Sequence, residues 1–306
     1  MKNYISIQDI TDIYSWIKEA KKIKENPLKN KKLGKNKTLG LLFFNPSLRT
    51  RLSTQKAALN LGMNTIVMNV SEDAWGIEFE NGTIMNGTTA EHIKEAAAVV
   101  SQYCDVIAVR AFPTLKDKEK DEREQVLNAF IKYASVPIVN MESATSHPLQ
   151  GLTDAITIAE NSSKKRPKVV LSWAPHVKAL PHAVANSFVE AMQKMDVEFV
   201  ITNPEGYNLN SEITKNIPII HDQKVALENA DFVYAKNWSS YDSYGQILKT
   251  DLDWMVTENN IGEAKFMHCL PVRRNVVVED AVLNSENSLV IQQANNRTFA
   301  AQLVLK

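Results

Sequence analysis

The sequence predicts an α/β protein made of two tandem doubly wound parallel-sheet domains with a cleft between them. Three observations carry this. Short apolar runs that read as strands alternate with helical patterns, as in parallel sheets covered by helices on both faces. The polar segment Ser162-Ser163-Lys164-Lys165-Arg166-Pro167 interrupts the alternation, which then restarts. The length, 306 residues, suits about two domains of roughly 150 residues each.

An opening helix is expected near 7–25, where Ile7, Ile10, Ile13, Ile17 and Ala20 recur near a 3.6 period before a Lys-rich end. Residues 38–44 read as a buried strand, 50–61 as a helix stopped by Gly62, and 65–70 as a second strand. A helix near 90–103, a strand at 106–109, a helix near 121–134 and a strand at 136–141 follow. After a long helix near 148–161 and the boundary turn, strands are expected at 169–173, 197–202, 232–235, 266–269 and 289–291. Helices near 183–195, 222–229 and 295–305 accompany them. The implied domains are 1–146, joined by the C-terminal helix at about 295–306, and 147–294.

Composition excludes several classes. Lys plus Arg and Asp plus Glu are both 35, so there is no basic excess for a nucleic-acid coat or a membrane-surface protein. Cys104 and Cys269 are the two cysteines and form no CxxC, which argues against a zinc ribbon, a redox pair or a disulfide framework. The start Met1-Lys2-Asn3-Tyr4-Ile5 lacks the apolar run of a signal peptide. No charge-free apolar stretch approaches the ~18 residues of a membrane span. A cytoplasmic location is expected, with no metal and no cofactor. No two glycines are separated by one residue, so GxGxxG is absent, as are GxxxxGK[ST] and GxSxG. Any phosphate is bound by another device.

The arginines suggest one. Only eight of the 35 basic residues are Arg, and six of them, Arg49, Arg51, Arg110, Arg273, Arg274 and Arg297, fall at expected strand ends or helix starts. Ligands of open α/β sheets sit beyond the carboxyl ends of strands, and Arg binds phosphate or carboxylate through a bidentate fork. After the first strand, Asn45 suits an N-cap and Pro46 the first helical position, leaving N–H groups near Ser47 to Thr50 directed outward. Arg at a helix start has the wrong sign for the helix dipole unless an anion supplies the missing charge. The same spacing also fits a surface helix start with two solvated Arg. Arg49 is expected to face the ligand and Arg51 to be partly structural. Arg110 ends a strand. His147 and Gln150 follow another, and Pro148 can open a helix whose dipole would favour a neutral His147. A lone His is as readily structural as functional. His268 to Arg274 follow a further strand, and Arg297 is read as opening the last helix. The set points to a small, strongly anionic ligand.

Together Phe43-Phe44-Asn45-Pro46-Ser47-Leu48-Arg49-Thr50-Arg51, His147-Pro148-Leu149-Gln150 and His268-Cys269-Leu270-Pro271 resemble the SxRTR, HPxQ and HCLP motifs of the aspartate/ornithine carbamoyltransferase family. The resemblance implies a carbamoyl-phosphate-binding first domain and an amino-acid-binding second domain. Residues 236–245 lack the Ser-Met-Gly loop of ordinary ornithine carbamoyltransferases, and Trp173-Ala174-Pro175-His176 with Leu180-Pro181 is unusual for them. Both features resemble the branch acting on N-acetylornithine or N-succinylornithine, whose acylated α-nitrogen is uncharged and bulky. That branch implies a homotrimer and a knotted second domain.

Carried over by motif, Ser47, Leu48, Arg49 and Thr50 cradle phosphate, mainly by backbone N–H, and Trp75 reaches in from a neighbouring subunit. Without the resemblance, the sequence favours reading Trp75 as a core or surface-loop aromatic. Thr50, Arg110 and His147 donate to the carbamoyl oxygen; Gln150, the Leu270 carbonyl and Arg297 hold the carbamoyl end. Ala90, Phe112, Glu142, His176, Leu180, Pro181, Lys236, Cys269 and Arg273 are candidates around the acylornithine. Cys269 also joins Arg110, His147 and Thr50 in the catalytic set, although no base to activate it as a nucleophile is identified. His182 and His221 are read as structural or surface.

In the acetyl-specific branch an acid aligns with Ala90, where it would repel the free carboxylate of a succinyl group. Pro181, where that branch carries Asn, points the same way; a register shift by one would instead place Glu91 there. The expected reaction moves the carbamoyl group of carbamoyl phosphate to the side-chain amine of N-succinyl-L-ornithine, giving N-succinyl-L-citrulline and phosphate, in arginine biosynthesis. It works by positioning and oxyanion stabilisation. The alternatives are an N-acetylornithine enzyme and a non-catalytic anion-binding module.

Overall fold

The computed structural model describes residues 2–248 and 253–306. The chain divides into two compact units: Met1–Asp9, Lys18–Leu149 and Arg297–Lys306 form the first, and Ile10–Ile17 with Gln150–Asn296 the second.

In the first unit β1 (Thr38–Phe43), β2 (Asn64–Asn69), β5 (Val106–Arg110) and β6 (Ile138–Glu142) form a parallel sheet in the order β2-β1-β5-β6. Short β3 (Gly76–Glu78) and β4 (Thr89–His92) form a separate parallel ribbon. β1 and β6 are buried almost throughout, because helices cover both faces of a parallel sheet. Leu42, Ile93, Ala97, Ile107, Val109, Phe130 and Ile138 pack into one core beneath them. The helix Arg49–Leu61 ends at Gly62, whose φ of 81° is left-handed; a Cβ there would lie 2.0 Å from the Lys31 carbonyl oxygen.

In the second unit β7 (Lys168–Trp173), β8 (Glu198–Thr202), β9 (Ile219–Ile220), β10 (Phe232–Lys236) and β11 (Lys265–Met267) form a parallel sheet in the order β11-β10-β7-β8-β9. Its core includes Val170, Val200, Val233, Phe266 and Val278. Each unit is thus a parallel α/β sheet, the fold class read from the sequence. Among the described residues no helix is long and apolar enough to cross a membrane.

Several expected elements differ. Residues 289–291 are not a strand: Ser288 makes an isolated bridge to Phe266, and the last helix, Val290–Leu305, starts immediately after Leu289. A short apolar run does not by itself distinguish a strand from a buried helical turn. Arg297 therefore lies two turns inside that helix rather than opening it. The helix expected near 90–103 begins at Ile93, where the His92 side chain accepts from the Lys94 N–H; Ala90 belongs to β4. The helix near 121–134 is two pieces, Lys118–Glu122 and Gln125–Tyr133, broken where Glu124 takes a left-handed φ of 49°. The opening helix is Ile13–Glu25, preceded by a separate 3-10 turn at Ile7–Asp9.

Candidate active site

The carboxyl end of β1 delivers residues 44–48, and the following helix starts at Arg49 with Leu48 as its N-cap residue. Asn45 and Pro46 are therefore not the cap and first helical residue. They serve as anchors: Asn45 Oδ1 accepts from the Phe112 N–H at 2.6 Å, and both carbonyls accept from Arg110 Nη1 at 2.7 Å. Ser47 Oγ accepts from the Thr50 N–H at 3.3 Å, supplying the cap that Leu48 cannot. Arg49 and Arg51 are both half-buried.

Arg110, the last residue of β5, sends Nε and Nη2 to Glu142 Oε2, each at 3.1 Å, and lies 4.1 Å over the ring of Phe112. His147 precedes the helix Pro148–Asn161, as its motif suggested. Its Nε2 lies 3.6 Å from Glu142 Oε2 and 3.5 Å from Arg297 Nη2. Arg297 Nη2 also donates to Thr50 Oγ1 at 2.7 Å. Thr50, Arg110, Glu142, His147 and Arg297, all buried, thus form one polar cluster in the first unit. Glu142 contacts the carbamoyl candidates Arg110 and His147. Ala90 lies in β4 and Trp75 immediately precedes β3; both are exposed, and the Trp75 indole donates to Glu91 at 2.8 Å. Ala90 is the residue skipped by the ladder, since Gly76 pairs with Thr89 and Ile77 with Glu91.

The second unit holds two groups of candidates. In the first, Gln150 Nε2 and Gln293 Nε2 both donate to Asp154 Oδ1 at 2.7 Å. Gln293 Oε1 accepts from the His268 N–H at 3.0 Å, and His268 Nδ1 accepts from the Leu270 N–H at 2.8 Å. Leu270 has a left-handed φ of 56°, a conformation kept in place by its surroundings. Cys269 is half-buried and in no disulfide.

In the second group Arg273 Nε donates to His176 Nε2 at 3.2 Å, and His176 Nδ1 lies 2.9 Å from the Lys178 carbonyl. Burial pushes the His176 pKa below its ordinary value, and the charges of Lys236, Arg273 and Lys178 add to this against the opposing carbonyl bond. The imidazole is therefore a neutral acceptor among cations at pH 7. Buried Lys236 donates from Nζ to the Asn237 carbonyl at 3.0 Å. Leu180 and Pro181 are half-buried, and the Leu180 carbonyl accepts from the Ser239 N–H at 3.0 Å.

Arg274 leaves the ligand set. It is exposed and donates to Asp280 at 2.8 Å and Asn284 at 3.0 Å, a surface ion pair. His182 is buried against the Ser239 carbonyl at 2.8 Å, and His221 faces the Asn203 carbonyl at 2.8 Å, both in structural settings.

Residues 2–160 match the aspartate/ornithine carbamoyltransferase family over its carbamoyl-P binding domain, and residues 181–306 match its Asp/Orn binding domain. The chain belongs to this family. It is 51% identical to the N-succinylornithine carbamoyltransferase of Bacteroides fragilis, over 100% of this chain and 98% of that protein. It is 36% identical to the N-acetylornithine carbamoyltransferase of Xanthomonas campestris, over 100% of this chain and 97% of that one. Among solved structures, a glutamate-to-valine mutant of N-acetyl-L-ornithine transcarbamylase, complexed with carbamyl phosphate and N-succinyl-L-norvaline, aligns with a TM-score of 0.94 at 35% identity, covering 100% and 99% of the two chains.

Within this carbamoyltransferase chain, sequence reasoning missed Asp154 and Gln293, and it gave Asn45 the role of an N-cap rather than of an anchor for Phe112. Asp154 carried a readable signal, an acid four residues after Gln150 on one helix face. Gln293 and the anchoring role of Asn45 carried none, since their partners are remote in sequence.

Proposed function

We propose that this protein transfers the carbamoyl group of carbamoyl phosphate to the side-chain amine of N-succinyl-L-ornithine, producing N-succinyl-L-citrulline and phosphate in arginine biosynthesis. The observation that carries the reaction is the buried cluster of Thr50, Arg110, Glu142, His147 and Arg297 at the start of the helix Arg49–Leu61. Ser47, Leu48 and Arg49 present backbone N–H groups and an Arg to the phosphate, while Thr50, whose N–H is held by Ser47 Oγ, closes the cradle. Arg110, His147 and Thr50 donate to the carbamoyl oxygen as negative charge grows on it. Arg297 already donates to Thr50 Oγ1, so the Thr50 hydroxyl proton is directed to another acceptor. The neutral amine attacks the carbonyl carbon, the carbon–oxygen bond to phosphate breaks, and the amine proton leaves with the phosphate. Charge stabilisation of this kind supplies a large part of such accelerations.

In the second unit, Gln150 and the Leu270 carbonyl accept from the carbamoyl NH₂. Lys236 and Arg273 hold the acceptor's carboxylate, neutral His176 orients Arg273, and Leu180, Pro181, Phe112 and Cys269 complete the surroundings. The succinyl choice rests on reading Ala90, rather than Glu91, at the position where the resemblance gives the acetyl-specific branch an acid; a glutamate-to-valine mutant of N-acetyl-L-ornithine transcarbamylase is complexed with a succinylated ligand, in keeping with this. Trp75 completes the site of a neighbouring subunit in a homotrimer. Cys104 and Cys269, neither in a disulfide, suit a reducing cytoplasm.

The deciding experiment offers carbamoyl phosphate with N-succinylornithine, N-acetylornithine or ornithine and measures the citrulline product. N-succinylornithine should give the highest kcat/KM by about tenfold or more, the scale of a like-charge discrimination. Equal or better turnover of N-acetylornithine overturns the acyl assignment. Phosphate-analogue binding without product from any acceptor leaves an anion-binding module.

A further inference from the structure

We propose that Asp154 is a positioning residue for carbamoyl transfer: its buried carboxylate turns the amide oxygen of Gln150 toward the carbamoyl group and, through Gln293, fixes the turn that presents the Leu270 carbonyl. This rests on the carbamoyltransferase reading above and assigns to it a residue outside the three motifs.

Gln150 and Asp154 are four residues apart on the helix Pro148–Asn161, so their side chains share a face. Both are completely buried. Gln150 Nε2 donates to Asp154 Oδ1 at 2.7 Å. That bond decides the amide flip: the nitrogen faces Asp154 and Oε1 faces away. The NH₂ of a carbamoyl group only donates, so it needs an acceptor. A flipped Gln150 would meet it donor to donor.

The same Oδ1 atom orients Gln293, whose Nε2 donates to it at 2.7 Å. Gln293 Oε1 is thereby turned to the His268 N–H at 3.0 Å, and His268 Nδ1 holds the Leu270 N–H at 2.8 Å. One carboxylate thus sets both acceptors assigned to the carbamoyl NH₂. Fully buried Tyr234 lies nearby; burial, and then the charges of Asp154 and Cys269, push its hydroxyl pKa well above the ordinary value, so it remains protonated. The pairing of the helices Pro148–Asn161 and Val290–Leu305 has further support, since Asn296 and Gln292 donate to Glu160 Oε2 at 2.8 and 2.9 Å. Changing Asp154 therefore leaves that pairing partly in place.

Asp154→Asn is nearly isosteric but allows Gln150 either orientation. It should raise KM for carbamoyl phosphate about tenfold and lower kcat, with KM for the acylornithine changed less than about twofold. In a Gln150→Ala background the same substitution should add less than about twofold. The double variant Gln150→Glu/Asp154→Asn restores an acceptor oriented by a donor and should recover part of the loss. In the unaltered protein, NMR should find the Gln150 carboxamide protons protected from exchange, a reading independent of how the variants fold. Unprotected Gln150 protons, an Asp154→Asn enzyme with unchanged kinetics, or an equal loss in the Gln150→Ala background would each overturn the assignment. A wild-type protein without carbamoyl transfer overturns the functional reading itself, which is a different result.

Discussion

Arg110 and Glu142 meet as a buried ion pair because β6 slips by one residue against β5. Val109 pairs with Asn140, but Arg110 pairs with Glu142, and the slip brings Nε and Nη2 within 3.1 Å of Oε2. Arg110 Nη1 is committed to the Asn45 and Pro46 carbonyls, so this pair also braces the loop before Ser47. Removing one member of a buried pair strands the other charge, at a typical cost of about 3–5 kcal/mol. Glu142→Ala should lose stability on that scale in urea unfolding. An unchanged unfolding midpoint would remove the bracing role.

Arg110→Ala tests the chemistry. Loss of an oxyanion donor typically costs about 3 kcal/mol of transition-state stabilisation, a fall of a hundredfold or more in kcat. Steady-state kinetics that match the wild type would take Arg110 out of the catalytic set.

Thr50 and Arg297 are far apart in sequence and 2.7 Å apart in space. Thr50→Val keeps the shape but removes the acceptor from a buried guanidinium, at a cost of about 1–3 kcal/mol in stability. It should also slow carbamoyl transfer, and Thr50→Ser should recover most of both. Melting curves and kcat measured on the same samples check this.

Ala90 is exposed and unpaired in the ribbon ladder, so Ala90→Glu should change stability by only about 0.5 kcal/mol. Its effect should appear in the acceptor: turnover of N-succinylornithine falls about tenfold or more, while N-acetylornithine is spared. Equal losses with both acceptors would place Ala90 away from the acyl group.

Trp75 is 61% exposed, and the proposed function assigns it to the site of a neighbouring subunit. Inactive Trp75→Ala and Arg49→Ala proteins, unfolded together and reassembled, should regain activity, because some sites then combine intact halves. No recovery would argue for self-contained sites.

His176 has a pKa depressed below 6.5, first by burial. Below pH 6.5 the unfolded chain binds a proton at this residue that the folded protein resists. Its contribution to stability is therefore complete above the ordinary value and declines as pH falls toward the lowered one. NMR titration should place the His176 midpoint below 6.5, and Lys236→Met should raise it. A midpoint at or above 6.5 in the unaltered protein would contradict this.

Much was legible locally. The 3.6-residue pattern that stops at Gly62 is the helix Arg49–Leu61, and Pro148 does open the helix Pro148–Asn161, because turn and cap chemistry act over a few residues. Local chemistry also misled: Asn45 and Pro46 make a plausible helix start, yet contacts with Phe112 and Arg110, more than sixty positions away, claim them first. The run at 289–291 fits strand and helix equally; pairing with Phe266 stops at Ser288 and the last helix starts at Val290, which ends the ambiguity.

By itself the sequence determined the alternation of strands and helices, and thus the parallel sheets, because hydrophobic period and turn residues are local properties. It also determined which residues stand beyond the strand ends, and through its motifs the family. Tertiary structure alone decided which of those residues touch. The slip that brings Arg110 to Glu142, the reach of Arg297 to Thr50 and the contact of Gln293 with Asp154 depend on register and on helix packing across long separations. Such contacts exist only once the backbone has closed on itself, so no residue's near neighbours in the chain encode them.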